Sequence, residues 1–189
     1  DHAKTSLKLA DDFVQLARLS ALTPEQSLID LRAITDEAVD RVYDVARSQQ
    51  VRVSVEGLDE PPLIAGDSSL LMRAIANLLD NAIRYSPKSG VVRCSIRLKE
   101  RSEAATCDYL ECTVADQGPG IPPERLAALF QRFGPNDPSK ELSAGLGLAF
   151  VKRAVDLMGG SITLESATGG TTFVVAFPVA VSPESIDPA

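Results

Sequence analysis

The stretch from Asp67 to Tyr85 contains neither Gly nor Pro and repeats Leu71, Ile75, Leu78, Leu79 and Ala82 at helical spacing. An advance of about 100° per residue gathers all five into one apolar sector. A helix of this kind is stable only against a partner surface, and the flanking sequence supplies strands to provide one. Asp67 is the expected N-cap, and Pro87 and Gly90 end the run. Upstream, Ser27 to Leu31 reads as a short strand. Ala33 to Gln49 reads as a helix with Ile34, Ala38, Val42 and Val45 on its apolar side. Val51, Val53 and Val55 alternate as a strand, Pro61-Pro62 stops it, and Leu63 to Ala65 forms a further short apolar element. Downstream, Val91 to Leu98 and Tyr109 to Ala115 alternate as strands. Gly145 to Met158 reads as a helix stopped by Gly159-Gly160, and Ser161 to Glu165 and Thr171 to Phe177 are strands joined by Thr168-Gly169-Gly170. Mixed helices and strands joined by short turns predict an α+β class, two-layer sandwich: a largely antiparallel sheet with helices on one face.

An additional helix precedes this unit. Leu9, Phe13, Leu16 and Leu19 recur at helical spacing until Thr23-Pro24 breaks the pattern. This places a helix and linker over residues 1–26, the main domain over 27–180 and a tail over 181–189. A lone helix cannot bury its own stripe, so a partner helix or a second copy of the chain is expected to cover it.

Charge narrows the function. Asp and Glu number 26 against 19 Lys and Arg, a net charge of −7, which argues against a broad basic face for nucleic acid. A small anion held by backbone amides and a metal ion is compatible with this balance. No apolar run approaches the roughly 18 to 20 residues of a membrane-spanning helix, and Pro178 interrupts the longest one, Phe173 to Val181. The chain opens at Asp1 without Met or a signal-peptide pattern, as expected of a piece of a longer parent, which leaves room for a membrane anchor upstream. Cys94, Cys107 and Cys112 form no CxxC pair and read as small buried hydrophobes in a reducing compartment. A disulfide between Cys94 and Cys112 is conceivable if their strands pair.

Three segments carry chemistry. On the helix ending at Tyr85, the same rotation that groups the apolar residues gathers Arg73, Asn77, Asn81 and Arg84 on a polar sector. Asp116-Gln117-Gly118-Pro119-Gly120-Ile121 follows a strand directly. Its glycines let the backbone approach a ligand, and a carboxylate at a strand end can accept from an exocyclic amine. Gly145-Leu146-Gly147-Leu148 opens a helix in this reading, where unpaired amides and missing side chains favour an anion. The loop Gly134 to Lys140 between them, rich in breakers, suits a lid. Each segment alone is equally compatible with a solvated helix face, a tight turn or a surface loop.

Together and in this order, the segments resemble the ATP-binding domain of sensor histidine kinases, a branch of the gyrase-type ATPase superfamily with the Bergerat fold. Asn77-Leu78-Leu79-Asp80-Asn81-Ala82 resembles the N box, Asp116 to Gly120 the first glycine box, Leu129-Phe130-Gln131-Arg132-Phe133 the F box, Gly145 to Leu148 the second glycine box, and Gly169-Gly170-Thr171 the closing glycine turn. The resemblance implies ATP and Mg²⁺ as cofactors. It implies catalytic roles for Asn77, Asn81 and Arg84, with Asn81 giving its oxygen to Mg²⁺, Asn77 supporting the metal and phosphates, and Arg84 facing phosphate. Tyr85 would lie against adenine and Asp116 would accept from its amino group, with Gly118, Gly120, Ile121 and Thr171 shaping that pocket. Gly145, Leu146, Gly147 and Leu148 would line the phosphates, and Phe130 and Phe133 would anchor the lid, where Arg132 and Lys140 are further candidates. Two departures stand out: Ser143 takes a place where the family often has glycine, and the lid is short.

Related ATPases of the superfamily place a glutamate where Asn77 stands and use it as the base for water. An amide takes no proton at neutral pH. A neutral imidazole already offers a lone pair, so the resemblance favours transfer to histidine over hydrolysis. Leu9 to Leu19 resembles the end of the dimerisation and histidine-phosphotransfer hairpin. His2 lacks the following acidic residue and proline of an acceptor box, which places the acceptor upstream. The implied partners are that hairpin, a response regulator and a second copy of the full-length parent, with this domain in the cytoplasm. The alternatives are a serine kinase or ATPase of the same fold, and a nucleotide-sensing or scaffold module without transfer.

Overall fold

The computed structural model describes residues 25–100, 107–122, 124, 129 and 142–181. Residues 1–24 of the expected N-terminal helix and linker, and residues 182–189 of the expected 181–189 tail, lie outside them. Strand β1 (Ser27–Ile29) leads into helix α1 (Leu31–Ser48), followed by β2 (Arg52–Gly57), β3 (Leu63–Gly66) and helix α2 (Ser68–Tyr85). Strands β4 (Val91–Lys99) and β5 (Tyr109–Ala115) precede helix α3 (Leu142–Leu157), and β6 (Ser161–Ala167) and β7 (Gly170–Val181) close the order.

Helix α1 starts two residues before the expected Ala33 because Asp30 caps it, its carboxylate accepting from the amides of Arg32 at 2.8 Å and Ala33 at 3.1 Å. The buried stripe is Leu31, Thr35, Ala38, Val42 and Ala46, which includes the expected Ala38 and Val42, and Ile34 packs partly buried against the core. Val45, expected inside, is 41% exposed. Thr35 is fully buried, and its hydroxyl donates to the Leu31 carbonyl one turn back at 2.7 Å. In α2 the expected cap forms: Asp67 accepts from the amides of Ser69 and Leu70 at 3.0 and 3.1 Å. All five residues of its predicted apolar sector are buried, joined by Met72, Ala74 and Ile83.

The strands form one seven-stranded sheet in the order β1-β3-β7-β5-β4-β2, with β6 also on β7. Among the described residues, only the β2–β4 pair is parallel. Long β7 holds β5 along one edge and, on the other, β6 followed by β3. Val92, Cys94 and Ile96 of β4, Leu110, Cys112 and Val114 of β5, and Phe173, Val175 and Phe177 of β7 fill the inner face together with the buried sides of the three helices. This is the predicted two-layer arrangement. Cys94 and Cys112 are diagonal neighbours, since Cys94 pairs with Val114 and Cys112 with Ile96. Their sulfurs lie 3.7 Å apart as free, buried thiols. Among the described residues, no helix is long and apolar enough to cross a membrane.

Candidate functional site

Strand β5 leaves the sheet at Asp116, and the backbone is held as it turns. The Asp116 amide donates to the Thr171 carbonyl at 2.9 Å. In return the amides of Thr171 and Gly118 donate to one carboxylate oxygen, Asp116 Oδ1, at 3.2 and 2.7 Å. Its other oxygen, Oδ2, receives no protein hydrogen bond among the described residues. Burial pushes the Asp116 carboxyl above the usual carboxylate range, and the two amides oppose this by favouring the charged form. The result is a half-buried acceptor, oriented by one oxygen and available through the other.

Glycines let this turn sit close to its neighbours. A Cβ on Gly118 would stand 2.7 Å from the Tyr85 carbonyl oxygen and 2.9 Å from Asp116 Oδ1, so the turn lies directly against the end of α2. Gly120 has φ +78°, and a Cβ there would meet the Ala167 carbonyl oxygen at 2.1 Å. Behind the turn, Ser166 Oγ accepts from the Ile121 amide at 2.7 Å and lies 3.2 Å from the Gly170 carbonyl oxygen and 3.1 Å from Thr171 Oγ1. The β6–β7 hairpin is thereby fastened to the Asp116 turn. Thr171 is buried at 5% exposure.

The polar stripe of α2 meets α3. Gly147 faces Asn77, a Cβ at Gly147 lying 3.8 Å from Asn77 Cγ, and Arg73 lies 4.8 Å from the Phe150 ring centre. Residue numbers fall on α2 as they rise on α3, so the two helices run antiparallel. Asn77 Nδ2 and Ser86 Oγ, the latter at the C-cap of α2, are buried and have no hydrogen-bond partner among the described residues. A buried donor in that state calls for an acceptor from water or a ligand. Asn81 is half-buried one turn on, Arg84 is exposed, and Tyr85 is 50% exposed.

Two expectations change. Helix α3 begins at Leu142, not Gly145, because nothing in Leu142-Ser143-Ala144 breaks a helix. The amides without an intrahelical partner therefore belong to the turn before Gly147, and Gly147 contributes the space beside Asn77. Leu148 is 4% exposed and packs in the core, behind the site wall. Phe130, Phe133, Arg132, Lys140 and the 134–140 loop lie outside the described residues, as do the side chains at Gly145 and Leu146. Leu129 packs partly buried against the core.

Ser166 and Gln117 are absent from the sequence-based site. Ser166 carried a signal: it falls on the inward phase of β6, in step with Ile162 and Leu164, where a hydroxyl needs a reason. Gln117 carried none.

The arrangement has a defined span. Gly118 ties the Asp116 turn to Tyr85, while Asn77 lies eight residues earlier on the same helix, about 12 Å along the axis. The Asp116 carboxylate and the buried Asn77 amide thus stand at two ends of the same helix face.

Comparison with known proteins gives a consistent picture. Residues 66–181 match the family model described as histidine kinase-, DNA gyrase B- and HSP90-like ATPase. The signal transduction histidine-protein kinase/phosphatase MprB of Mycolicibacterium smegmatis is 35% identical over 165 residues, covering 86% of this chain and 31% of MprB. The sensor histidine kinase CusS of Escherichia coli is 35% identical over 181 residues, covering 90% of this chain and 35% of CusS. The chain therefore spans about a third of the length of these relatives. Among solved structures, a mycobacterial sensor histidine kinase MprB superposes with a TM-score of 0.64 at 30% identity, covering 85% of this chain and all of that one. The catalytic domain of histidine kinase ThkA superposes at 0.67 and 22% identity, covering 82% of this chain and 96% of that one, a likeness of fold.

Proposed function

The chain belongs to the histidine kinase-, DNA gyrase B- and HSP90-like ATPase family, and from that premise we propose that it binds Mg-ATP and donates the γ-phosphoryl group to a histidine on the dimerisation hairpin of a sensor kinase. The observation that carries the reading is that, among the described residues, Asp116 Oδ2 receives no hydrogen bond and the buried Nδ2 of Asn77 has no partner, the two lying at opposite ends of one helix face.

Each residue acts by ordinary chemistry. Asp116 Oδ2 accepts from the adenine amino group and disfavours guanine, which presents an oxygen there. Tyr85 offers a half-exposed ring against the base. Asn77 Nδ2 gains its missing acceptor from a phosphate oxygen. Among the described residues no protein cluster of three or more His, Cys, Asp or Glu gathers to hold a metal by itself; Asn81, half-buried one turn after Asn77, would add one hard oxygen to those of phosphate and water, the set magnesium favours. Bound there, the ion would neutralise charge on the transferring group. Arg84 extends the positive edge, and Gly147 keeps the passage beside Asn77 open.

Asn77 also bears on the acceptor. With no proton-accepting group on that amide, water finds no base at this position, whereas a neutral imidazole needs none. Catalysis then rests on positioning and charge neutralisation. Relatives named as sensor kinases support a response regulator as the next carrier, pairing of two full-length chains through the hairpin, and a place for this domain on the cytoplasmic side.

The test is to incubate the full-length parent with Mg²⁺ and γ-labelled ATP. Protein-bound label that survives alkali and is lost in acid is the expected result. Label stable in acid points to a serine kinase of the same fold, free phosphate without protein label to an ATPase, and ATP binding without either to a sensing module.

A further inference from the structure

We infer that Gln117, lying between the two glycine-box residues that shape the base pocket, is a positioning residue that decides how Asp116 is presented; this rests on the nucleotide reading above. Strands β4 and β5 pair antiparallel from Lys99 opposite Tyr109 to Arg93 opposite Ala115. Continued by two residues on each strand, that register sets Gln117 opposite Val91. The main chain of β5 is no longer there, because it has turned at Asp116 toward the end of α2. Instead the side-chain oxygen of Gln117 accepts the Val91 amide at 2.9 Å. The side chain stands in for the carbonyl that a continued strand would have supplied.

This substitution ties the turn to the sheet it leaves. With Gln117 accepting from the Val91 amide at the surface, the start of β4 stays joined to the turn while the backbone of residues 116–118 lies against Tyr85. The segment from Tyr85 to Val91 is then gripped at both ends by the same turn, at Tyr85 by Gly118 and at Val91 by Gln117. Between the grips the Gly90 amide donates to the Pro87 carbonyl at 2.9 Å, closing a tight turn that has little slack. Without the side-chain acceptor, water takes over the exposed Val91 amide and the tie between the turn and the start of β4 is lost, which loosens Gly118 against Tyr85 and with it the aim of Asp116. Gln117 touches no part of the base in this account; it acts through Asp116.

The 189-residue chain, its Gln117→Leu variant and its Gln117→Glu variant are titrated with ATP and with GTP by calorimetry, and each is melted thermally. The leucine has similar size and no acceptor; the glutamate keeps an oxygen at the same reach. Expected for Gln117→Leu is ATP affinity about three- to ten-fold weaker with GTP affinity unchanged, so that the ATP preference shrinks, and Gln117→Glu recovers most of it. A general loosening of the fold would weaken both nucleotides together and lower the melting temperature in step, and that pattern overturns the inference. So does a Gln117→Leu chain that binds ATP as the parent does. An unmutated chain that binds neither nucleotide overturns the nucleotide reading itself, a result distinct from the other two.

Discussion

Gly147 of α3 stands against Asn77 of α2 with only the space of a side chain between them: a Cβ on Gly147 would lie 3.8 Å from Asn77 Cγ and 3.9 Å from its Oδ1. That separation is ordinary van der Waals contact, so alanine fits without displacing anything, and it replaces a glycine inside a helix. Gly147→Ala is expected to stabilise the fold by about 1 kcal/mol, a rise in melting temperature of about 2–4 °C, while weakening ATP at least about ten-fold by closing the approach to the Asn77 amide. Thermal denaturation beside calorimetry separates the two effects. A variant that is more stable and binds ATP normally would remove Gly147 from the phosphate path.

Asn81→Ala addresses the metal. Asn81 is half-buried on a helix that already buries its apolar stripe, so alanine leaves the fold intact. The expected loss is in the part of ATP affinity that depends on Mg²⁺, measured by titrating with and without the ion. An unchanged difference between the two titrations removes Asn81 from the metal site.

Asp116 links base recognition to pH. Burial holds its carboxyl above the ordinary value of 3.8, so the folded chain takes up this proton more readily than the unfolded chain does. The ionised form is then an unfavourable term at neutral pH that is relieved as pH falls through the raised native value. ATP affinity moves the other way, since the acceptor oxygen is lost on protonation. The expected titration shows ATP affinity declining on acidification from a higher pH than a free aspartate would give, while circular dichroism still reports a folded chain. Asp116→Asn keeps an oxygen for the amides of Gly118 and Thr171 but offers a second amide to the adenine amino group. Its ATP affinity is expected to fall about ten-fold or more with no loss of stability, and its preference for ATP over GTP to vanish.

The thiols give a test of the core. Cys94 and Cys112 are fully buried and Cys107 is partly exposed. Under native conditions an aromatic disulfide reagent should titrate one thiol promptly and all three in denaturant. Rapid native reaction at Cys94 or Cys112 would show that α1 lifts readily from the sheet. The diagonal placement of the pair explains why neighbouring strands do not imply a bond, because the directly opposite residues are Val114 and Ile96.

Much of the fold was legible because its signals are local. The Asp67 cap, the apolar sector from Leu71 to Ala82 and the alternation in β4 and β5 each express a periodicity that burial enforces. In helix α1 the expected Ile34, Ala38 and Val42 face the core, while the Asp30 cap adds Leu31 at the start and Val45 faces outward. The start of α3 was misplaced because glycines were read as a boundary where the preceding residues already form helix. Within the site, Asp116, Asn77 and Thr171 came from motif order, and the structure brings Asp116 and Thr171 into direct contact. Gln117 was invisible for a physical reason. Its partner, Val91, is fixed by the register of two strands and the point at which one of them departs, and neither is written in the residues around it.

The mutual bonds between Asp116 and Thr171 have a consequence for time as well as for geometry. They sit where β7 begins, and β7 is the strand to which β5, β6 and β3 are all attached. Amides in such a position exchange with solvent only when a large cooperative unit opens. The carboxylate proposed to select the base is therefore tied to the strand that joins three others, and its aim is expected to persist as long as that strand stays in the sheet.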